Sequence, residues 1–536
     1  MFNRERLGWL LGRPTLSDGV VGWVGTLILP DFSAKVSTAL DLGKFLEKVD
    51  LNHVSALGCT SSENLIAALK PDIARKVASK IVDLSLVMRV ASQRGEPDKA
   101  PRRTTDLLAE CMSEECKVSV PKDFGALLLE GRTNELVNFK EVDVILRSLL
   151  YRLAQKLRRS GEFRRYILYE LPAHRVLLAQ SRFRLSVDAE GVKTVADELL
   201  TAQRVGRVEL VTRHSQDPMD FISSFEARRQ FAGRHLGSFR ERLTLGEFRD
   251  LLDEQPNTDE VKSLVASFLK NDATRRALLA LAAPEAEGCQ VVYDPLGTST
   301  GRVVMRSPGV QWLEKKYRKY ILPPDGYKLQ YLDYSCFEPA IWAAASGDKE
   351  LITACTSDVY VHVGEWLGLT CVASRDLAKT FLLKLMYGQA QHKLVATLSA
   401  ELSIQPEDAC ARIENLGRRL ARAFEFRAEL IARTRKTGYM ETQVGNRCLV
   451  KAGEEYKALS HYLQGTGALI FKYALVDIFG GSSAARLIVP MHDAFLCAFP
   501  DENLEHDLTR AKGSMQSAFL AVTGADLARV TSRGEF

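Results

Sequence analysis

The sequence predicts an α+β fold, a strand-bearing catalytic domain with a long helical lobe inserted in it. Three observations carry this expectation. From Asp188 to Ala283 apolar residues recur mostly at helical spacing, with short polar breaks. Near Gln290 the character changes to short apolar runs bounded by turn residues, such as Gln290–Tyr293 and Lys328–Leu332, which read as strands. A helical block then runs from about Glu338 to Phe426, before strand-like pieces return at Tyr439–Val450 and Leu487–Phe499. Strands separated by long helical insertions are the pattern of an α+β domain.

The front of the chain is read element by element. Val20–Leu29 is apolar but too short to span a bilayer and is broken by Gly22, Trp23 and Gly25, so it reads as a buried strand. Arg94–Thr105 is polar, basic and holds two prolines, the composition of a surface loop. From Asn138 to Leu157, Val142, Ile145, Leu146, Leu149, Leu150 and Leu153 follow a helical period. No internal repeat or low-complexity tract is visible. With 536 residues the chain has room for roughly three or four domains. Its 46% apolar and 26% charged residues are those of a soluble globular protein. The ten cysteines include no CxxC pair, and Cys111 and Cys116 have no neighbours to complete a metal set. Reduced thiols in a cytoplasmic setting follow, without structural zinc.

A net charge of +5 permits nucleic-acid binding without requiring it, so clustering matters more than the sum. Two stretches are basic. Lys156–Arg184 contains Arg158, Arg159, Arg164, Arg165, Arg175, Arg182 and Arg184, and Arg412–Lys436 contains Arg418, Arg419, Arg422, Arg433 and Arg435. Such stripes suit sequence-independent contacts to a phosphate backbone, with affinity falling steeply in salt. A solvated helix face would look the same.

The residues able to carry chemistry lie in the second half. Asp333 follows the strand-like KLQYL, and LIVPMHDAFLCAFP reads as two apolar strands joined at a tight turn with His492–Asp493 at its tip. If those strands share a sheet, Asp333 and Asp493 face each other. Two such carboxylates can bridge two Mg²⁺ ions roughly 3.5–4 Å apart, as phosphoryl transfer from a nucleoside triphosphate requires. In RDLAKTFLLKLMYG, Arg375, Lys379, Leu383 and Tyr387 recur every fourth residue and share one helix face. The two cations suit a triphosphate, and the aromatic ring beyond them suits a base. An amphipathic helix with a basic edge has the same appearance.

These pieces occur in one order with further landmarks, and together they resemble the family A, DNA polymerase I-like, enzymes. TSTGR at Thr298–Arg302, followed by Pro308 and Gln311, is similar to the family's TxTGR segment. DYSCFE at Asp333–Glu338 resembles its motif A, Arg375–Gly388 its motif B, and His492–Asp493 its motif C. GYMETQVGNR at Gly438–Arg447 resembles the family's hairpin, and ALSHYLQGTGALIFK at Ala458–Lys472 its QGT helix, especially in the podophage-type branch. The resemblance is strongest from Tyr293 to Pro500.

The resemblance implies a right-hand architecture with palm, fingers and thumb. It divides the chain into a degenerate 3′–5′ exonuclease-like α/β domain at 1–155, thumb and connecting helices at 156–290, a first palm part at 291–350, fingers at 351–437 and a second palm part at 438–536. Asp333, Asp493 and the Tyr334 carbonyl would hold two Mg²⁺ ions, with Mn²⁺ as a substitute. Arg375 and Lys379 would bind the incoming dNTP, Lys379 also protonating pyrophosphate. Tyr387 would close over the nascent pair, and Glu338 would exclude ribonucleotides. Arg302, Gln311, Arg447 and Gln464 would contact primer–template DNA, with His492 at the primer end. In the family's DIH segment this chain reads Asp358-Val359-Tyr360, so Tyr360 takes the place of a phosphate-binding His, with His362 as the alternative.

Several positions depart from the family pattern. Ala494 follows Asp493 where a Glu is usual, and Leu383 stands in place of Phe or Tyr. Ser460 and Tyr462 replace Asn and Pro before QGT. In the front domain Phe139-x3-Asp143 resembles a remnant of the exonuclease Tyr-x3-Asp, but Val20–Leu29 has no DxE and Cys59–Leu69 has no Asn-x3-Asp. Proofreading needs a fuller acidic set, so none is expected. The expectation is a monomeric, cytoplasmic, template-directed DNA polymerase of replication or repair, unattached to membranes, with accessory proteins unspecified. Two other readings stay open: a single-subunit RNA polymerase, against which Glu338 argues, and an inactive DNA-binding scaffold.

Overall fold

The computed structural model describes residues 7–17, 20–28, 34–37, 54–59, 62–67, 69, 71–91, 139–238, 242–253, 259–282, 289–369 and 374–534. The chain forms two compact units. One comprises Met1–Phe183, Val292–Arg306 and Gly326–Glu535, the other Arg184–Val291 with Ser307–Asp325. The loop expected at Arg94–Thr105 and the pair Cys111 and Cys116 lie outside the described residues. The seven described cysteines are free thiols. No described helix is long and apolar enough to cross a membrane.

The first unit opens with a five-stranded sheet in the order β3-β2-β1-β4-β5. Its strands are β1 (Leu7–Ser17), β2 (Val20–Ile28), β3 (Ala34–Ser37), β4 (Ala56–Cys59) and β5 (Ile81–Asp83). The β1–β2 and β2–β3 pairs are antiparallel, and the β1–β4 and β4–β5 pairs are parallel. Successive residues of a strand point to opposite faces, and this separates two cores. Ala56 and Val82 join Leu7, Trp9 and the buried face of helix α1 (Phe139–Arg159). Leu57, Cys59 and Ile81 join Leu65, Ile66 and Val77. The strand expected at Val20–Leu29 is β2, but it is not the first strand. β1 precedes it, and Gly8, Gly12 and Pro14 obscure its pattern in the sequence.

Trp9 is fully buried, and its indole lies over β4 where Gly58 stands opposite it. A Cβ on Gly58 would come within 2.2 Å of that ring, so glycine is required there. The indole Nε1 donates to Asp143 Oδ1 at 2.8 Å, and Arg147 Nε donates to Asp143 Oδ2 at 2.6 Å.

The second unit is helical. Asp188 caps helix α2 (Ala189–His214) by accepting from Gly191 N at 3.0 Å, and Asp259 caps α3 (Glu260–Leu281) in the same way. These two helices pack on each other, and Phe221, Phe231 and Phe248 cluster with Leu210, Val265 and Leu269 to form the core. Gln311 lies in this unit, on the 3₁₀ turn Val310–Trp312.

The remainder of the first unit carries a four-stranded sheet and the helices around it. The strands are β6 (Tyr327–Ser335), β7 (Arg486–Pro490), β8 (Ala494–Pro500) and β9 (Arg529–Arg533), in the order β7-β8-β6-β9. Its helices include α4 (Phe337–Ser346), α5 (Val359–Leu367), α6 (Ser374–Met386), α7 (Ala421–Thr437), α8 (Ala458–Phe479) and α9 (Leu504–Thr523). Strands of this sheet are thus separated in sequence by helices α4 to α8, as the α+β expectation requires. α8 is buried along most of its length, including Leu463, Leu469, Ile470, Ala474, Leu475 and Ile478.

A buried charge network joins segments of the first unit. Glu170 accepts from Lys472 Nζ at 2.6 Å and from Arg165 Nε at 2.9 Å. Arg165 Nη1 also donates to Glu162 at 2.9 Å, and Glu162 accepts the backbone N–H of Arg447 at 3.1 Å. Two carboxylates therefore face two cations inside the protein, and the desolvation of each charge is offset only while all four remain. Burial draws the Lys472 ammonium down to about 8, against the pull of Glu170. One arginine of the first basic stretch is accordingly internal. Arg165 belongs to this network, and Arg175 Nε donates to the Ile81 carbonyl at 3.0 Å.

Removing one member should be costly. Lys472→Met is expected to destabilise the protein by about 3–5 kcal/mol in chemical denaturation, because Glu170 is left under-compensated. Glu170→Leu combined with Lys472→Met should cost clearly less than the sum of the two single changes. Strict additivity would show that the pair is not coupled.

Candidate active site

The site is built on β6. Leu332 and Tyr334 of this strand are buried, so Asp333 between them faces the other way. The strand pairs antiparallel with β8, placing Asp333 opposite Ala494, and Tyr334 N donates to the Asp493 carbonyl at 3.2 Å. On its other edge β6 pairs with β9, with Asp333 opposite Thr531. Asp333 therefore lies inside a strand that continues to Ser335, not at its end. The sequence pattern stopped at Leu332 because β9, which supports the last residues, is far away in the chain. The Tyr334 ring is committed to the core. It stacks on Phe337 at 4.4 Å, and its hydroxyl donates to the Met515 carbonyl at 2.7 Å. Its backbone is what remains for a ligand.

At the end of β6 the chain turns through Cys336, which has a φ of 53°, a conformation rare for a residue with a side chain. The turn starts α4 and brings Glu338 back to the cleft. Glu338 accepts from the Tyr387 hydroxyl at 2.7 Å and from Arg302 Nη2 at 3.0 Å. Arg302 comes from the Thr298–Arg302 loop, whose Thr298 hydroxyl accepts from Arg302 N at 3.0 Å. Gly301 in that loop has a φ of 83°, and a Cβ there would lie 3.4 Å from Arg165 Nη2 and 3.7 Å from Lys472 Nζ. The loop thus rests on the buried charge network.

Helix α6 presents Lys379 and Leu383 to the same cleft, with Arg375 and Tyr387 at its ends, while Ala378, Phe381, Leu382 and Leu385 face the core. The spacing of four predicted this face. Arg375 Nε donates to Asp358 Oδ2 at 2.7 Å, and Asp358 also caps α5 by accepting from Tyr360 N at 3.0 Å. The Tyr360 ring lies 5.4 Å from the Arg375 guanidinium and 5.9 Å from Lys379 Nζ. His362 turns elsewhere, to Ser357 Oγ at 2.8 Å and toward Glu365.

A cleft of about 390 Å³ is lined by Arg302, Asp333, Tyr334, Glu338, Tyr360, Arg375, Lys379, Leu383, Tyr387, His492 and Asp493. Eleven sequence-predicted residues therefore meet in one place. Gln464, on α8, lies near enough to the Tyr387 hydroxyl to favour its ionised form. Arg447 is engaged internally: its Nε donates to Glu441 at 2.9 Å, and its guanidinium sits 4.6 Å from the Tyr439 ring. Gln311 is not among the residues lining the cleft.

Sequence reasoning assigned no role to three contributors. Asp358 has the position of a helix N-cap, a readable signal. Asn446 is buried and donates to the Thr300 and Gly465 carbonyls, both at 3.1 Å, joining the Arg302 loop to α8. β9 brings Arg533 close enough to Asp333 to favour its ionised form.

Burial, reinforced by Asp493, pushes the Asp333 carboxyl up to about 7. Burial raises Asp493 as well, against Arg302 and Lys379. Two hard oxygen donors crowded together at this cost fit a pair of divalent cations, which would relieve it. The Glu338 carboxyl is also raised, mainly by burial.

The sign of the Asp333 shift has a measurable result. The folded protein holds that proton more tightly than the unfolded chain does. This stabilisation is full below the ordinary carboxyl value of 3.8 and is lost as pH rises through about 7. In EDTA near about pH 8, Asp333→Asn is expected to melt as a protein more stable than wild type by about 1–2 kcal/mol, allowing for solvent screening of a partly open group. Near about pH 4 the gap should close, and Mg²⁺ at the higher pH should raise the wild-type Tm only. A variant no more stable than wild type in EDTA at the higher pH would contradict the repulsion.

Comparison with known proteins agrees with this geometry. The sequence profile of DNA polymerase family A matches residues 258–526, half of the chain. The thermostable DNA polymerase I of Thermus thermophilus is 26% identical over 411 residues, covering 70% of this chain and 48% of that protein. The DNA polymerase I of Chloroflexus aurantiacus is 23% identical over 446 residues, covering 73% of this chain and 46% of its own length. The chain thus spans about half the length of these curated relatives. Among solved structures, the POL domain of Pol1 from M. smegmatis, in complex with DNA primer-template and dNTP, superposes with a TM-score of 0.71 at 15% identity. The match covers 98% of this chain and 95% of that one. By profile and by fold, the chain belongs to DNA polymerase family A.

Proposed function

We propose that the chain extends a primer on a DNA template, adding dNTPs to the 3′ end by metal-assisted phosphoryl transfer. The observation that carries this reading is the convergence of Asp333, Asp493, Arg375, Lys379, Glu338 and Tyr387 on one cleft. In this assignment 291–350 and 438–536 form the palm, 351–437 the fingers and 156–290 the thumb. Asp333, Asp493 and the Tyr334 carbonyl would hold the two cations, with Mg²⁺ as the expected ion. When bound, such a pair activates the attacking hydroxyl and neutralises charge on the leaving pyrophosphate.

The chain's own residues bind, orient and exclude. Arg375 and Lys379 receive the triphosphate, and Lys379 is placed to deliver a proton to the leaving oxygen. Tyr387 covers the nascent base pair. Glu338, clamped between Tyr387 and Arg302, occupies the space a 2′-hydroxyl would need. Its fixed geometry favours dNTPs over rNTPs by filling space, which discriminates best when the blocking group cannot move. Catalysis then rests on positioning and electrostatics.

We also propose that the 1–155 region does not proofread. Asp143 is buried with both carboxylate oxygens engaged, by Trp9 and by Arg147. Neither β1 nor β2 contains an acidic residue.

The test is extension of a labelled primer with Mg²⁺ and dNTPs, comparing wild type with Asp333→Ala. Templated extension by wild type alone, lost by at least about 10³-fold in the variant, is the expected result. Absence of extension in both, with salt-sensitive DNA binding retained, would favour the scaffold reading. Glu338→Ala should admit rNTPs that the wild type rejects, and equal rNTP use by both would remove Glu338 from that role. No 3′ degradation of single-stranded or mismatched primers is expected. Degradation by wild type that Asp143→Ala abolishes would overturn the account of the front domain.

A further inference from the structure

Tyr360 occupies an unusual electrostatic position. Two cations, Arg375 and Lys379, lie one helical turn apart and repel each other. Both approach the same ring, at 5.4 and 5.9 Å from its centroid, within the range of favourable cation–π contact. Asp358 fixes the arrangement from two sides. It caps the helix that begins with Val359 and Tyr360, and it pairs with Arg375 Nε. Tyr360 itself is only 5% exposed, so its ring is held by packing. Among the described residues Lys379 makes no ion pair with a carboxylate, which leaves the ring as a fixed contact for its ammonium.

We propose that Tyr360 is a positioning residue whose ring, rather than its hydroxyl, sets the Arg375 and Lys379 side chains for the triphosphate of the incoming nucleotide. This rests on the polymerase reading and adds a mechanism to it. The ring attracts both cations without adding a neutralising charge, so Lys379, which has no carboxylate ion pair among the described residues, keeps its charge for phosphate oxygens, while Arg375 is also held by Asp358. A carboxylate in the same place would compete with the triphosphate. A neutral aliphatic side chain would let the two flexible cations move apart, and the nucleotide would then have to order them on binding. The ring bears on nucleotide binding and has no direct part in holding DNA.

The experiment compares Tyr360→Phe and Tyr360→Leu with wild type in the full chain. It measures KM for dNTP, kcat, primer–template Kd, and the Kd of inorganic triphosphate by calorimetry. Tyr360→Phe should keep dNTP KM within about twofold of wild type, and Tyr360→Leu should raise it about tenfold. The triphosphate Kd should move in parallel, while primer–template Kd stays constant. If Phe is as defective as Leu, the hydroxyl is the phosphate contact and the ring mechanism is wrong. If Leu leaves dNTP KM and triphosphate Kd unchanged, or weakens DNA binding equally, the positioning role is also wrong. Triphosphate binding is read without turnover. Loss of primer extension in wild type would therefore reject the polymerase reading separately, and failure of wild type to bind triphosphate would reject this one.

Discussion

The site depends on one seam of backbone hydrogen bonds, the antiparallel pairing of β6 with β8. That register brings Asp333, inside β6, beside Asp493 at the turn just before β8, although the two are 160 positions apart in sequence numbering. The pairing is supported by side chains that have no part in chemistry. Tyr334 anchors one strand to α9 through its hydroxyl and to α4 through its stack on Phe337, and the residues from Ala494 to Phe499 are buried throughout. Burial raises both carboxyl groups, with the Asp493 charge adding to it at Asp333, an arrangement that apolar packing must offset. Such local instability is typical of sites evolved to bind an ion rather than to stabilise a fold.

A second layer of electrostatics lies beneath the first. The network of Glu162, Arg165, Glu170 and Lys472 contains equal numbers of positive and negative groups and is closed to water. Against it rests the loop that carries Arg302, and Asn446 fastens that loop to α8. Arg302 in turn meets Glu338, which meets Tyr387 at the end of α6. Packing against the buried network and the polar contacts of Arg302, Glu338 and Tyr387 thus lead from the interior to the mouth of the cleft. Buried polar networks of this kind specify one arrangement when every member is satisfied. Beside the five-stranded sheet, Trp9 and Arg147 likewise engage both carboxylate oxygens of buried Asp143.

Local signals in the sequence determined much of this protein. The fourfold spacing of Arg375, Lys379, Leu383 and Tyr387 specified a helix face, because helical periodicity is a property of adjacent turns. The alternating and apolar runs around Asp333 and Asp493 specified strands, and the HD turn marked their junction. The order of these landmarks identified the family, and eleven of the residues it singled out line one cleft. Tertiary structure alone decided what depends on distant partners. β9 extended the Asp333 strand, and pairing with a remote segment leaves no mark on the residues paired. Arg165 became an internal partner of two carboxylates, although in the sequence it looks like part of any solvated basic stripe. Tyr360 rather than His362 was turned toward the cleft because two residues apart on a helix point in different directions. Composition and spacing report what a segment prefers; only the fold determines which charge a buried charge will meet.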